Sequence, residues 1–88
     1  MVSKYGKTCT LNYESYFKNA WDGSYTLCYL EEGFKPHQNL KFLVPLFDGN
    51  NTVYMANGIL TIRPNGVVEL NTLGKAYNLN FAVTWVCN

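Results

Sequence analysis

The ten residues Thr61 to Leu70, TIRPNGVVEL, restrict this chain more than any other stretch, because they fix a hairpin and its register together. Taken as a two-residue turn at Asn65-Gly66, the hairpin would set Pro64 against Val67, Arg63 against Val68 and Ile62 against Glu69. Residues directly opposite share a face, so that register pairs apolar with charged side chains. A three-residue loop, Pro64-Asn65-Gly66, instead pairs Arg63 with Val67, Ile62 with Val68, Thr61 with Glu69 and Leu60 with Leu70. Every pair then agrees. Pro64 presets the φ of the first turn position, and Gly66 supplies the left-handed residue that closes the loop. The register predicts Leu60, Ile62, Val68 and Leu70 in the core, with Thr61, Arg63, Val67 and Glu69 facing away.

Around this hairpin, Gly, Asn and Pro punctuate the chain at short intervals. Residues 1–7 read as a loose or partner-dependent start, and residues 8–88 as one domain. Thr8 to Tyr13 reads as a strand, and Glu14 to Ala20 as either a short helical turn or an irregular loop. Trp21-Asp22-Gly23-Ser24 reads as a turn. In YTLCYL, Thr26, Cys28 and Leu30 share one face and Tyr25, Leu27 and Tyr29 the other. LKFLVPLF, Leu40 to Phe47, sets Phe42, Val44 and Leu46 against Leu43 and Phe47, so both faces are expected to be covered. Pro45 cannot donate to a ladder, which predicts an edge position or a bulge. Thr52 to Ala56 reads as a short strand, Asn57-Gly58 as a turn, and residues 71–80 as a loop. FAVTWVC, Phe81 to Cys87, is apolar on both faces and is expected to be central. Short strands with turn signals between them predict an all-β fold, a small antiparallel sandwich or barrel.

Composition adds one constraint. The chain is 48% hydrophobic and only 15% charged, well below the usual quarter or so of charged residues. Either one core is unusually tight, or a second apolar face is buried against copies of the chain. The second expectation places Leu43, Pro45, Phe47, Ala82 and Val86 at an oligomer contact. The formal charge is +1, with cations scattered, which disfavours phosphate binding and hence nucleic acid. No run approaches the roughly 18 apolar residues of a membrane span, and the start has no signal-peptide core. The expectation is a soluble protein with no membrane insertion.

Catalytic equipment is sparse. His37 is the single histidine and sits in a Pro-His-Gln-Asn loop, without the third group that orients a catalytic base. Glu31 and Glu32 point to opposite faces if extended, so they make no acid–base pair. Cys9, Cys28 and Cys87 match neither a metal pair nor a disulfide framework and are expected to be reduced and buried. Asn50-Asn51-Thr52 fits a glycosylation acceptor, which without a signal peptide means a polar turn. No enzymatic activity, metal or cofactor is expected. Binding remains: aromatic rings beside amides or carboxylates recognise polar ligands. Trp21 with Asp22, Asn50 and Asn51 with Tyr54, and Tyr77 with Asn78 have this character.

The order of segments carries a resemblance. TLCYLEEGFKP, then LKFLVPL, then GILTIRPNGVVEL, then FAVTWV is similar to the C-terminal knob or head domains of bacteriophage tail fibres and receptor-binding proteins, especially of phages infecting Gram-positive bacteria. The resemblance covers Thr26 to Asn88. It implies a β-sandwich or barrel that assembles as a trimer, or a hexamer built from trimers, and adheres to host cell-wall saccharide. Such heads follow a shaft, whereas this sequence starts close to the domain, so either a cut-out domain or a free-standing small phage protein is expected. The alternative is a ring-forming accessory or assembly factor that binds other phage structural proteins. A purely structural virion subunit is the third class. The location implied is the virion tail, or the host cytoplasm during assembly.

Overall fold

A computed structural model of the chain describes residues 2–48, 50 and 53–87, with the side chains of residues 17–21 outside that description. The strands are β1 (Val2–Tyr5), β2 (Thr8–Trp21), β3 (Ser24–Tyr29), β4 (Leu40–Phe47), β5 (Tyr54–Ile62), β6 (Val67–Thr72) and β7 (Ala76–Val86). They form one antiparallel sheet in the order β1-β2-β7-β4-β5-β6-β3. The sheet curls into a half-barrel around its concave face, and no helix occurs among the described residues.

The β5–β6 hairpin has the register its sequence predicts. Leu60 pairs with Leu70, Thr61 with Glu69 and Ile62 with Val68. The Gly66 N–H donates to Arg63 O at 2.9 Å, the Arg63 N–H to Val67 O at 3.0 Å, and Gly66 has φ 95°. Asn65 adds a contact of its own, its Oδ1 accepting from the Val67 N–H. Leu60, Ile62, Val68 and Leu70 are fully buried. On the other face Arg63 and Glu69 form an ion pair at 2.7 Å. Thr61 lies on that same outer face, opposite Glu69, and is nonetheless buried.

Several other expectations are overturned. The segment read as a loose or partner-dependent start holds a strand: Val2–Tyr5 pairs with β2 through a two-residue turn in which Gly6 has φ 62°. Lys4 holds it further, its Nζ donating to Gly33 O and lying 5.9 Å from the Phe34 ring centre. Glu14 to Ala20 continues β2, because β7 offers partners to Tyr16↔Asn78 and, past an irregularity, at Trp21↔Ala76. Residues 71–80 are mostly strand, belonging to β6 and β7 with a short link between. Asn57-Gly58 is no turn. Gly58 lies inside β5, where an added Cβ would stand 2.8 Å from Leu70 Cδ1 and 3.3 Å from Leu46 Cδ1. The glycine leaves room for the tips of those two side chains.

A bulge at Leu27 breaks the alternation read into YTLCYL. Tyr25 pairs with Leu70 and Cys28 with Val68, so Cys28 shares the inner face with Tyr25 and not with Thr26. β7 is central, and Phe81, Val83, Trp85 and Cys87 are buried. Its outer residues Ala82, Thr84 and Val86 are exposed, as is Leu43 of β4 at 67%. Cys9 and Cys87 are not reduced thiols. They form a disulfide with Cα atoms 6.2 Å apart, leaving Cys28 free. The odd count and wide spacing hide this pair, which only the β2–β7 pairing brings together.

Candidate functional site

Leu46 of β4 and Leu79 of β7 are paired and fully buried. The next residues along each strand must therefore point to the convex face. Phe47 pairs with Asn78, Asn78 with Tyr16 of β2, and Phe47 with Tyr54 of β5. Directly opposed residues share a face, so Tyr16, Asn78, Phe47 and Tyr54 make one row across four strands. At the usual strand spacing the row is about 14 Å long. Its ends are exposed, Tyr16 at 57% and Tyr54 at 55%, while Phe47 is half-buried and Asn78 is buried. The Asn78 amide is fixed, its Nδ2 donating to Asp48 O at 3.0 Å. Asp48 in turn pins the β4–β5 loop, exchanging bonds with Val53 through its backbone N–H and its Oδ1. The row is an uncharged aromatic strip with an anchored amide at its centre.

The sequence-predicted ligand residues gather at this end of the sheet without forming one contact set. Tyr54 is in the row. Asn50 is exposed in the β4–β5 loop. Asp22 is exposed in the β2–β3 link, its N–H donating to the Tyr25 hydroxyl at 2.9 Å. Tyr77 is half-buried and, one residue from Asn78, points to the other face. Trp21 pairs with Ala76 through its backbone; its side chain, and Asn51 as a whole, lie outside the described residues. Sequence reasoning pairs Asn78 with Tyr77 but misses Tyr16, which lies in a segment read as ambiguous. The available signal was the period of two from Asn12 through Glu14 to Tyr16.

A second feature adjoins the row. The β4–β7 ladder stops after Leu46↔Leu79 and Phe47↔Asn78. The hydrogen-bond pattern explains why. Arg63 and Asn57 bond towards β6, so the alternate residues Ile62, Leu60, Gly58 and Ala56 bond towards β4. Their partners Leu40, Phe42, Val44 and Leu46 bond back, which leaves Lys41, Leu43 and Pro45 facing β7. The next ladder pair would be Pro45 with Asn80, and proline has no N–H to give. Pro45 is thus neither at the sheet's edge nor in the bulge itself, which lies beside it at Leu46 and Phe47. Beyond this point the strands part into a cleft of about 540 Å³ between residues 42–45 and 80–84. A further hollow of about 400 Å³ continues it to His37 and Val86.

The five residues expected at an oligomer contact divide between these features. Leu43, Pro45 and Ala82 line the cleft, Val86 lies at its far end, and Phe47 belongs to the row. His37 is exposed, and Glu32 pairs with Lys35 at 3.0 Å. Among the described residues no three His, Cys, Asp or Glu side chains converge to hold a metal ion. Among the described residues there is no helix long and apolar enough to cross a membrane. Inside the half-barrel, burial raises the pKa of the Cys28 thiol. The Tyr13 hydroxyl is raised as well, by burial first and then by Cys28. No protein-family model, no curated protein and no solved structure matches this chain.

Proposed function

We propose that the chain is a non-enzymatic binding module that takes a saccharide across the Tyr16–Asn78–Phe47–Tyr54 row. The setting is the one its sequence resemblance implies, the head of a phage tail fibre or receptor-binding protein gripping host cell-wall polysaccharide. The row carries this reading. Aromatic rings offer the apolar faces of a sugar a flat partner, and the neighbouring amide and carboxylate groups of Asn50 and Asp22 suit its hydroxyls. Its length suits several linked sugar rings better than one. The Cys9–Cys87 disulfide supports work outside a reducing cytosol, as at a virion surface. Multiple copies on one particle would convert weak single sites into firm adhesion.

The test is sedimentation of the protein with purified cell-wall polysaccharide from Gram-positive bacteria. Tyr16→Ala and Tyr54→Ala should each weaken binding roughly fivefold, the loss of one ring contact, with circular dichroism unchanged. Equal binding by both variants would remove the row from the reading. A second reading, an accessory factor that engages other virion polypeptides, is favoured by one observation, the open cleft between β4 and β7.

A further inference from the structure

Two backbone edges face one another across that cleft. Asn80, Ala82 and Thr84 each present an N–H and a C=O from the β7 wall, and Lys41 and Leu43 do so from β4. None of the five has a strand partner on that side among the described residues. The side chains that line the cleft are apolar or neutral. Backbone groups left in an apolar hollow need partners, and a row of them at every second residue is matched by another extended backbone.

We propose that the cleft receives an extended, uncharged segment of a different protein, running antiparallel to β7 and hydrogen-bonded to Asn80, Ala82 and Thr84. The direction follows from the two walls. The β7 wall offers three complete residues, whereas the β4 wall ends at Pro45, and antiparallel pairing is the stronger kind. Asn80 to Thr84 accommodates about five residues of the guest at roughly 3.4 Å each. The residues that line the cleft, 42–45 and 80–84, carry no charge to pair with one on the guest, which favours a neutral segment. A second copy of this chain fits poorly. Its free edges are β1, which carries Lys4, and β3. Each is tied to a neighbouring strand, and a folded sheet edge does not enter a wedge between two strands. The proposal concerns a surface separate from the tyrosine row and stands whether or not that row takes a saccharide.

The experiment selects displayed random peptides of about ten residues on the whole protein and follows the best synthetic peptide by amide hydrogen exchange. The expected result is a set of binders without charge over about five central positions. On binding, exchange at Asn80, Ala82 and Thr84 should slow by at least about tenfold. Leu43→Glu, a change at an exposed position, should weaken binding by about tenfold or more. Ala82→Pro, which removes one cleft-facing donor, should weaken it as well. The proposal is overturned if no peptide is enriched, if the same peptides bind the Leu43→Glu protein equally, or if binding leaves the three amides unchanged. It is also overturned if those amides become protected without peptide as protein concentration rises, since the guest would then be a second copy.

Discussion

Gly66 occupies a position that no other residue type fits without movement. Its φ is 95°, and an added Cβ would stand 2.7 Å from Leu30 O. Its own carbonyl accepts from the Leu30 N–H at 2.8 Å, so the hairpin loop is also the anchor for the end of β3. Gly66→Ala should lower unfolding stability by roughly 2 kcal/mol or more, measured by urea titration, because strain and a backbone clash coincide. A loss of a few tenths would mean that the loop shifts freely. Half of this role is legible in Pro-Asn-Gly; the other half depends on Leu30, which no local pattern links to the turn. Cys28 and Tyr13 give the residue scale its pH dependence. Both pKa values are raised in the folded protein, chiefly by burial. The fold therefore favours the protonated forms, and their contribution is complete below the ordinary thiol range. It is lost as pH rises through the folded values, from about pH 9 upward. Melting temperature should fall across that window, and Cys28→Ala should delay the fall. Identical profiles for the two proteins would clear Cys28 of the effect.

Among the elements, the β5–β6 hairpin is legible from Leu60 to Leu70, because turn chemistry and side-chain alternation agree there. β2 and β7 were legible only in part. Asn71, Asn78 and Asn80 look like loop composition, yet each lies in a strand. Ser24 Oγ bonds Asn71 Oδ1, and Asn78 bonds Asp48 O, so local polarity is used in tertiary contacts that propensity does not foresee. Asn57-Gly58 misled for a related reason. The same dipeptide that makes a turn also makes room for Leu70 and Leu46 within a strand. Pro45 makes the reverse case, since its missing donor is visible in the sequence but the neighbour it fails to meet is not. Pro45→Val restores an N–H aimed at β7 and should extend the β4–β7 ladder by one pair. Slower exchange at the Asn80 amide would show this. Unchanged exchange would mean that sheet twist, and not the proline, parts the strands.

The whole molecule is a half-barrel with different ends. One end carries the tyrosine row and the links after β2, β4 and β6. The other is closed by residues 31–39, held where the Trp85 Nε1–H donates to Phe34 O at 2.9 Å and Pro36 bridges to Cys87. The fold class was legible, but the strand order was not, because β2 finds its partner in the last strand of the chain. That pairing sets Cys9 beside Cys87, 78 residues apart in sequence. Closing so long a loop is worth about 4 kcal/mol in the chain-entropy account, a large share for so small a domain. The bond also turns almost the entire polypeptide into a covalent ring. A protease that cuts one exposed loop opens the ring without releasing a piece. Limited digestion should therefore yield a nicked species that runs as one chain on a non-reducing gel and separates into two fragments once reductant is added. Two fragments without reductant would show that the ring is not closed. Survival of a first cut is then a property of connectivity and not of rigidity.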